Sequence, residues 1–185
     1  KVKDPFGAPL PAKVQVRCEG PCPVKWSSYE RFMELEPQAD DLAALAYVPP
    51  QGSATLTVPP GNYRVSVTRG PEWSAWPDTF PLLGAPVDLS AQDATLEATL
   101  AHVVDTTGWM SADLHVHAVN SADAQPTNES RVLAFAAEGV DVLVSTDHEW
   151  VTDYTPVIQK LGAQSVLASV IGCEVSPTWG HHNLF

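Results

Sequence analysis

Hydrophobic and polar residues follow two different patterns along this chain, and the change lies near residue 105. Before that point, apolar and polar residues alternate in four short stretches, residues 13–18, 54–58, 62–68 and 94–100. A period of two residues is typical of strands that bury one face. Turn-forming residues at 59–62 separate the second stretch from the third, so residues 54–68 are predicted to form a β-hairpin. Residues 1–107 are therefore predicted to form an antiparallel β-sandwich domain, with short helical turns at 27–35 and 40–45 inside an insertion.

After Gly108 the pattern becomes that of strands alternating with helices. Continuous apolar runs predict buried strands at 109–117, 140–146 and 166–172, and helices are predicted at 131–138 and 156–161. Gly139 is expected to end the first helix. This alternation predicts βαβ units with a parallel sheet. The predicted fold class is a two-domain α+β chain, with residues 1–107 as the sandwich and residues 108–185 as the α/β part.

Charge and hydropathy exclude two classes of partner. The chain has a net charge of −12 and only ten Lys and Arg residues, whereas binding to a phosphate backbone needs clustered basic residues. No apolar run reaches the roughly 18–20 residues that cross a bilayer. We therefore expect no nucleic-acid partner and no membrane span in this chain. Because it starts at Lys1 without Met and stops inside an apolar segment at Phe185, both ends are expected to be cuts in a longer protein.

The three cysteines fall into two groups. Cys18 and Cys22 flank a short turn that can close a small disulfide ring, and the alternatives are two unpaired thiols or half of a metal knuckle. A disulfide would suit an oxidising compartment. Cys173 lies in an apolar run and is predicted to be a small buried hydrophobic residue.

Residues that bind metals follow the ends of three successive predicted strands. His115 and His117 lie two residues apart on the first strand, so they point to the same side and can reach one ion. Asp147 and His148 end the second strand, and Glu174 follows the third. Ligands of parallel α/β sheets converge beyond the carboxyl ends of the strands. The sequence therefore predicts a metal site at this edge.

The histidines are also clustered along the chain. A single His is more often a hydrogen-bonded structural residue than a ligand, and His102 is expected to be such a residue, without partners on the last strand of the first domain. Five of the six histidines lie in residues 115–185, including His181 and His182 in a Gly-His-His-Asn segment. This clustering favours a metal site over a set of unrelated structural histidines.

The order of these motifs resembles the PHP (polymerase and histidinol phosphatase) superfamily of metallohydrolases. The motifs are Asp-Leu-His-Val-His at 113–117, Ser-x-Asp at 121–123, Thr-Asp-His at 146–148, Gly-x-Glu at 172–174 and Gly-His-x-Asn at 180–183. Residues 137–148 and the Asp-Tyr-x-Pro segment at 153–156 resemble, more narrowly, the carbaryl-hydrolase-like branch. The resemblance covers about residues 105–185 and implies the first βα units of a truncated PHP-type (β/α)7-like barrel.

The resemblance also implies roles for individual residues. It implies six metal ligands, which are His115, His117, Asp123, His148, Glu174 and His181. Glu174 is expected to bridge two ions and Asp147 to support His148 from outside the ligand shell, so Asp147, His148 and Glu174 are the predicted catalytic residues. His182 occupies the variable position after the ligand histidine and ranks below His181. Ala118 stands where the family often has Ser, which affects no predicted ligand.

Imidazole and carboxylate ligands suit Zn, Mn or Fe and do not distinguish among them. Two or three such ions would lower the pKa of a bridging water towards neutrality, so that hydroxide attacks a phosphate ester or the carbonyl of an amide, ester or carbamate. No Ser-His-Asp elbow and no Gly-rich phosphate loop competes. The chain is thus predicted to be part of a metal-dependent hydrolase of small-molecule esters, phosphoesters or amides.

Two other functions remain as alternatives. One is a catalytically inert extracytoplasmic binding or structural module with a residual metal site. The other is a phosphatase domain attached to a DNA polymerase, which fits poorly with the acidic charge and the preceding sandwich. A full eight-unit barrel takes roughly 250 residues, far more than residues 108–185 supply. The resemblance implies further ligands after Phe185, including a late Asp-x-His. The missing C-terminal half of the barrel, or a second copy of the chain, is expected to cover the open sheet edge.

The first domain carries a resemblance of its own. Residues 58–73, Val-Pro-Pro-Gly-Asn-Tyr-Arg-Val-Ser-Val-Thr-Arg-Gly-Pro-Glu-Trp, resemble the carboxypeptidase-regulatory-like sandwich modules, which are usually accessory. This favours a spacer over a carbohydrate- or surface-binding module. Trp73 and Trp76 are expected to anchor a core or an interface and not to line a binding face. The module, the low Lys content and a Cys18–Cys22 bridge predict an extracytoplasmic location.

Overall fold

The computed structural model describes residues 1–22 and 41–185, which form a mixed α+β fold. Its strands are β1 Val2–Lys3, β2 Ala12–Cys18, β3 Leu42–Val48, β4 Asn62–Thr68, β5 Ala85–Asp88, β6 Ala98–Thr99, β7 Ala112–Val116, β8 Val142–Ser145, β9 Ala168–Val170, β10 Cys173–Val175 and β11 His182–Leu184. Its helices are α1 Asn128–Ala137 and α2 Thr155–Leu161.

The first half of the chain is built on a four-stranded antiparallel sheet with the order β3-β2-β4-β5. Every second residue of β2 is buried, as its alternating pattern predicts. Val14 and Val16 face Val67 and Val65 of β4 across the pair, and all four belong to one hydrophobic core. The short parallel pair of β1 and β6 adds Val2 to the same core. Apart from the four-stranded sheet, this pair is the only sheet in the described part of the first half, so a complete second layer of the predicted sandwich is not observed there.

Two predictions for this half are wrong. Residues 54–58 form no strand, because β4 pairs with β2 and β5 and leaves no free edge for a hairpin partner. Within the predicted helical turn at 40–45, residues 42–45 are instead the start of β3, since pairing with β2 outweighs the helix propensity of its alanines and leucines, and residue 40 lies outside the described residues. The predicted turn at 27–35 lies outside the described residues.

Several local predictions for this half are confirmed. Cys18 and Cys22 form a disulfide. Trp73 and Trp76 are partly buried against the first hydrophobic core, as expected of anchors.

The prediction that His102 has no partners is wrong. Its Nε2 lies 3.1 Å from Oε2 of Glu72, and its ring packs edge-on against Trp73. None of the described helices is long and apolar enough to cross a membrane.

The second half has its own core and a three-stranded parallel sheet with the order β7-β8-β9. Helix α1 connects β7 to β8, and α2 connects β8 to β9, so the predicted βαβαβ order is confirmed. Helix α1 starts three residues before its predicted start because the Thr127 hydroxyl accepts the Ser130 N–H and caps it. It ends at Gly139, whose φ of 73° is the left-handed conformation of a helix stop.

The parallel sheet does not close into a barrel. Strands β7 and β9 are its two outer strands, and within the described residues neither pairs with a further parallel strand. Strand β10 follows β9 after Gly172 and forms an antiparallel pair with β11. A Cβ on Gly172 would lie 2.5 Å from the Ser145 carbonyl oxygen, so the chain turns here in close contact with the end of β8. The observed architecture of the described residues is therefore an open sheet with two βα units followed by a third parallel strand.

The two halves meet at the C-terminal end of α1. The Arg69 guanidinium, 6% exposed, donates to the Pro11 carbonyl in the first half and to the Ala136 carbonyl of α1. The backbone of Gly70 lies so close to Glu138 that an added Cβ would be 2.0 Å from the Glu138 carbonyl oxygen. These contacts place the antiparallel sheet firmly against the helix that supports the second half.

Candidate metal centre

Each of the six predicted ligands reaches the same edge of the second half. His115 lies on β7 and His117 directly follows it, while His148 follows β8 and Glu174 lies on β10. A parallel bridge joins His148 to Glu174, with the Glu174 N–H donating to the Asp147 carbonyl and the Glu149 N–H donating to the Glu174 carbonyl. Backbone pairing thus fixes the positions of the second and third ligand segments relative to each other.

Glu174 is at the centre of the cluster. Its side chain is only 2% exposed, and imidazole nitrogens approach both of its carboxylate oxygens. Oε2 lies 2.9 Å from His115 Nε2 and 3.1 Å from His117 Nε2, while Oε1 lies 2.7 Å from His181 Nδ1. His148 Nδ1 is 3.8 Å from Oε2. A carboxylate with ligands on both oxygens has the geometry of a bridging group.

Asp123 supplies a second carboxylate on the far side of His117 and His148. Its Oδ2 lies 3.2 Å from His148 Nε2, and its Oδ1 lies 3.8 Å from His117 Nδ1. The Ser121 hydroxyl donates to Oδ1 of Asp123 over 2.8 Å. The loop between β7 and α1 therefore contributes its carboxylate to the same cluster.

The donors form three overlapping groups, each able to hold an ion. The groups are His115, His117 and Glu174; His117, Asp123 and His148; and His148, Glu174 and His181, with donor atoms within 4.8 Å of one another. Tetrahedral zinc with bonds of about 2.0–2.1 Å holds its ligand atoms about 3.3 Å apart. The observed separations between the donor atoms, 2.7–3.8 Å, lie around that value. The groups share His117, His148 and Glu174, and because a neutral imidazole offers one lone pair, only the Glu174 carboxylate could serve ions in two positions at once.

The hydrogen-bond partners of His117 leave a position for a cation between its Nε2 and the Glu174 carboxylate. The single Ser121 hydroxyl proton goes to Asp123, so the contact of 2.9 Å between Ser121 Oγ and His117 Nδ1 requires a proton on Nδ1. A neutral His117 then has a bare lone pair on Nε2, and this lone pair faces the Glu174 oxygen at 3.1 Å. Two acceptors in contact repel each other, and a metal ion between them removes the repulsion.

The pKa shifts favour the protonation states that metal ligands need. Burial lowers the pKa of His117, and this effect exceeds the opposing attraction of Asp123 and Glu174. The Ser121 hydrogen bond holds the pKa of Asp123 below its ordinary value. Burial alone would raise the pKa of Glu174, but the hydrogen bond from His115 and the nearby His148 outweigh it, so the net pKa is lowered. These directions favour a neutral His117 and ionised Asp123 and Glu174 near neutral pH.

Asp147 has different partners from those expected. Its side chain is fully buried, and its carboxylate accepts the Ala118 N–H over 2.6 Å and the Thr152 hydroxyl. Both ring nitrogens of His148 are engaged elsewhere, Nδ1 with Ser176 at 2.6 Å and Nε2 with Asp123. Asp147 thus holds the backbone after His117 in place and does not touch the His148 ring.

We expect Asp147→Ala to lower the free energy of unfolding by about 2–3 kcal/mol, because it leaves the buried Ala118 N–H and Thr152 hydroxyl without their acceptor. Urea denaturation of the metal-free chain measures this. The control is Asp93→Ala, which truncates an exposed aspartate and should change stability by less than about 0.5 kcal/mol. Equal effects of the two substitutions would contradict the structural role of Asp147.

Sequence analysis missed several residues that support the cluster. Ser176 binds the His148 ring, and its N–H donates to Oε1 of Glu149 over 2.6 Å. Glu149 has a φ of 55°, a left-handed conformation that is uncommon for a residue with a side chain. The sequence around Ser176 does not predict these hydrogen bonds, because a loop serine finds its partners only where two loops meet in the fold. His182 is exposed and belongs to none of the donor groups, in keeping with its lower rank.

Comparison with known proteins adds no family assignment: no protein-family model, no characterised protein and no solved structure matches the chain.

Proposed function

We propose that this chain carries the ligand set of a divalent-metal-dependent hydrolase of the PHP type. The observation that carries the proposal is the buried Glu174 carboxylate, which receives imidazole nitrogens on both oxygens. An ionised carboxylate with so little exposure needs positive charge or hydrogen bonds around it, and a cation held by the surrounding imidazoles would supply that charge. The overlap of three donor groups supports room for two or three ions, with Zn, Mn and Fe all suited to the ligands.

Hydrolysis adds water across the bond that breaks, and the residues of this chain have separate tasks in it. The bound ions would supply Lewis acidity that lowers the pKa of water and stabilises charge on the substrate oxygen. Glu174 would serve ions in two positions through its two carboxylate oxygens, whereas His148, as a neutral imidazole, would offer one nitrogen to one ion. Asp147 would keep His117 in position through the Ala118 N–H. In this assignment Asp147 is a positioning residue.

The charges around the cluster favour an uncharged substrate. The only Lys and Arg residues after residue 105 are Arg131, which donates to the His117 carbonyl, and Lys160, which pairs with Glu129. Neither is free to bind a phosphate dianion. Asp123, Glu149 and Glu174 add negative charge near the ions. We therefore propose a neutral ester, amide or carbamate ahead of a phosphoester as the substrate.

The rival function is an extracytoplasmic binding or structural module with a residual metal site. The observation in its favour is the open sheet, since the walls of a substrate pocket need more strands and loops than β7 to β9 provide. We propose that further βα units, or a second copy of the chain, complete the sheet. The Cys18–Cys22 disulfide agrees with the proposed oxidising, extracytoplasmic compartment.

Metal analysis and a hydrolysis assay separate the two functions. Purified chain is dialysed against Zn, Mn or Fe(II), its metal content is measured, and turnover of an aryl ester, an aryl carbamate and a phosphodiester is followed. We expect at least one bound ion per chain, and hydrolysis that a chelator abolishes. Because this chain is proposed to be one part of the catalytic domain, the same assay is run on the full-length protein, where bound metal without turnover would favour the rival. No bound metal would overturn both.

A further inference from the structure

We propose that Ser121 is a positioning residue that sets the proton on His117 and links it to Asp123 and His148. The inference rests on the proposed metal site and adds a residue to it that is not itself a ligand. Ser121 is 4% exposed and lies in the loop between β7 and α1. Its hydroxyl contacts all three residues of the second donor group.

The three contacts of the Ser121 hydroxyl fix which partner receives its proton. Oγ donates its one proton to Oδ1 of Asp123 over 2.8 Å, because an ionised carboxylate can only accept. It accepts the His148 backbone N–H over 3.1 Å, and the remaining contact is His117 Nδ1 at 2.9 Å. An oxygen that has already given its proton to Asp123 can only accept from His117. Nδ1 must therefore be the protonated nitrogen.

This assignment decides which nitrogen of His117 can bind an ion. With the proton on Nδ1, the lone pair of Nε2 is free and points to the Glu174 side of the cluster. Without Ser121, the favoured tautomer would carry its proton on Nε2 and donate it to Glu174 at 3.1 Å. That proton would occupy the position of the ion. Ser121 thus keeps the nitrogen open even before metal binds.

The same hydroxyl contacts residues of two donor groups, and a His117 protonated on Nδ1 offers Nε2 to one ion at a time. His117 belongs to the first and second donor groups, and Asp123 and His148 belong to the second. Removing the hydroxyl should therefore weaken binding at the positions that use His117 and leave the group of His148, Glu174 and His181 least affected. Loss of such an outer partner typically costs about 10–100-fold in metal affinity.

The test uses the 185-residue chain labelled with 15N-histidine, with metal removed, at about pH 8, where imidazoles are neutral. Two-bond 1H–15N correlation spectra report which ring nitrogen carries the proton. We expect His117 to be protonated on Nδ1 in the unsubstituted chain and on Nε2 in Ser121→Ala. Zinc titration should show the roughly 10–100-fold loss at one or more positions.

Two further variants separate this role from a merely structural one. Ser121→Thr keeps the hydroxyl and should restore the Nδ1 tautomer and most of the zinc affinity. Ser169→Ala removes a buried hydroxyl that has no hydrogen-bond partner in the described residues, and should leave both readouts unchanged. The proposal is overturned if the unsubstituted chain carries the His117 proton on Nε2, or if Ser121→Ala matches Ser169→Ala in both measurements. A chain that binds no zinc would refute the proposed function, while the tautomer would still decide the role of Ser121.

Discussion

Replacement of Glu174 by Gln should reduce zinc binding far more than the roughly 10–100-fold that loss of an outer partner costs. Glu174 is part of two of the three donor groups and, among the residues that the structure describes, is the only carboxylate that both His115 and His181 contact. The amide keeps the size of the side chain but removes its negative charge. An ion among neutral imidazoles would then lack the carboxylate that offsets its charge.

Zinc titration of the metal-free variant measures the effect, and circular dichroism checks that it folds. Glu97→Gln is the matched control, because it makes the same chemical change at an exposed carboxylate paired with Lys3 in the first half. It should bind zinc as the unsubstituted chain does. Zinc affinity of Glu174→Gln within a few-fold of the control would remove the main support for the metal centre.

Replacement of Gly70 by Ala should be the most destabilising single-methyl change in the described chain. The added Cβ would lie 2.0 Å from the carbonyl oxygen of Glu138, a backbone atom that no side-chain rotation can move away. Gly70 also has a φ of 66°, where a Cβ adds strain. Overpacking typically costs about 1–3 kcal/mol and the left-handed conformation about 1–2 kcal/mol, so we expect a loss of about 3 kcal/mol or more.

Gly108→Ala is the control that isolates the cost of placing a side chain in the left-handed backbone conformation, without a steric clash. Gly108 has a φ of 84°, but nothing lies within 4 Å of the position of its added Cβ. Its replacement should cost only about 1–2 kcal/mol. Urea denaturation of both variants gives the difference. If the two lose equal stability, the two halves of the chain are not held together at Gly70 and Glu138.

The candidate ligands could be identified from the sequence because their signal is local. His115 and His117 are spaced for one side of a strand, and His148 and Glu174 follow apolar runs of strand length. Parallel strands place their carboxyl ends at one edge, so residues far apart in sequence were expected to meet. Asp123, in contrast, was assigned through family resemblance, because a loop carboxylate has no periodicity to mark it.

The second half was also easier to predict than the first. Buried parallel strands appear as continuous apolar runs, and β7 to β9 lie within the ranges predicted for them. The segment of β3 is rich in alanine and leucine, which favour helix, and only the adjacent edge of β2 makes it a strand. No local pattern contains that information.

The sequence by itself determined the alternation of strands and helices after residue 108 and the residue types that gather at the strand ends, because both depend on neighbours a few positions apart. The tertiary structure alone decided which hydroxyl meets which imidazole, that Asp147 holds Ala118 instead of His148, and that Gly70 lies against Glu138. Apart from the contact between Ser121 and His117, which are four residues apart, these contacts join segments about 30 to 70 residues apart, and their geometry arises only when the chain packs.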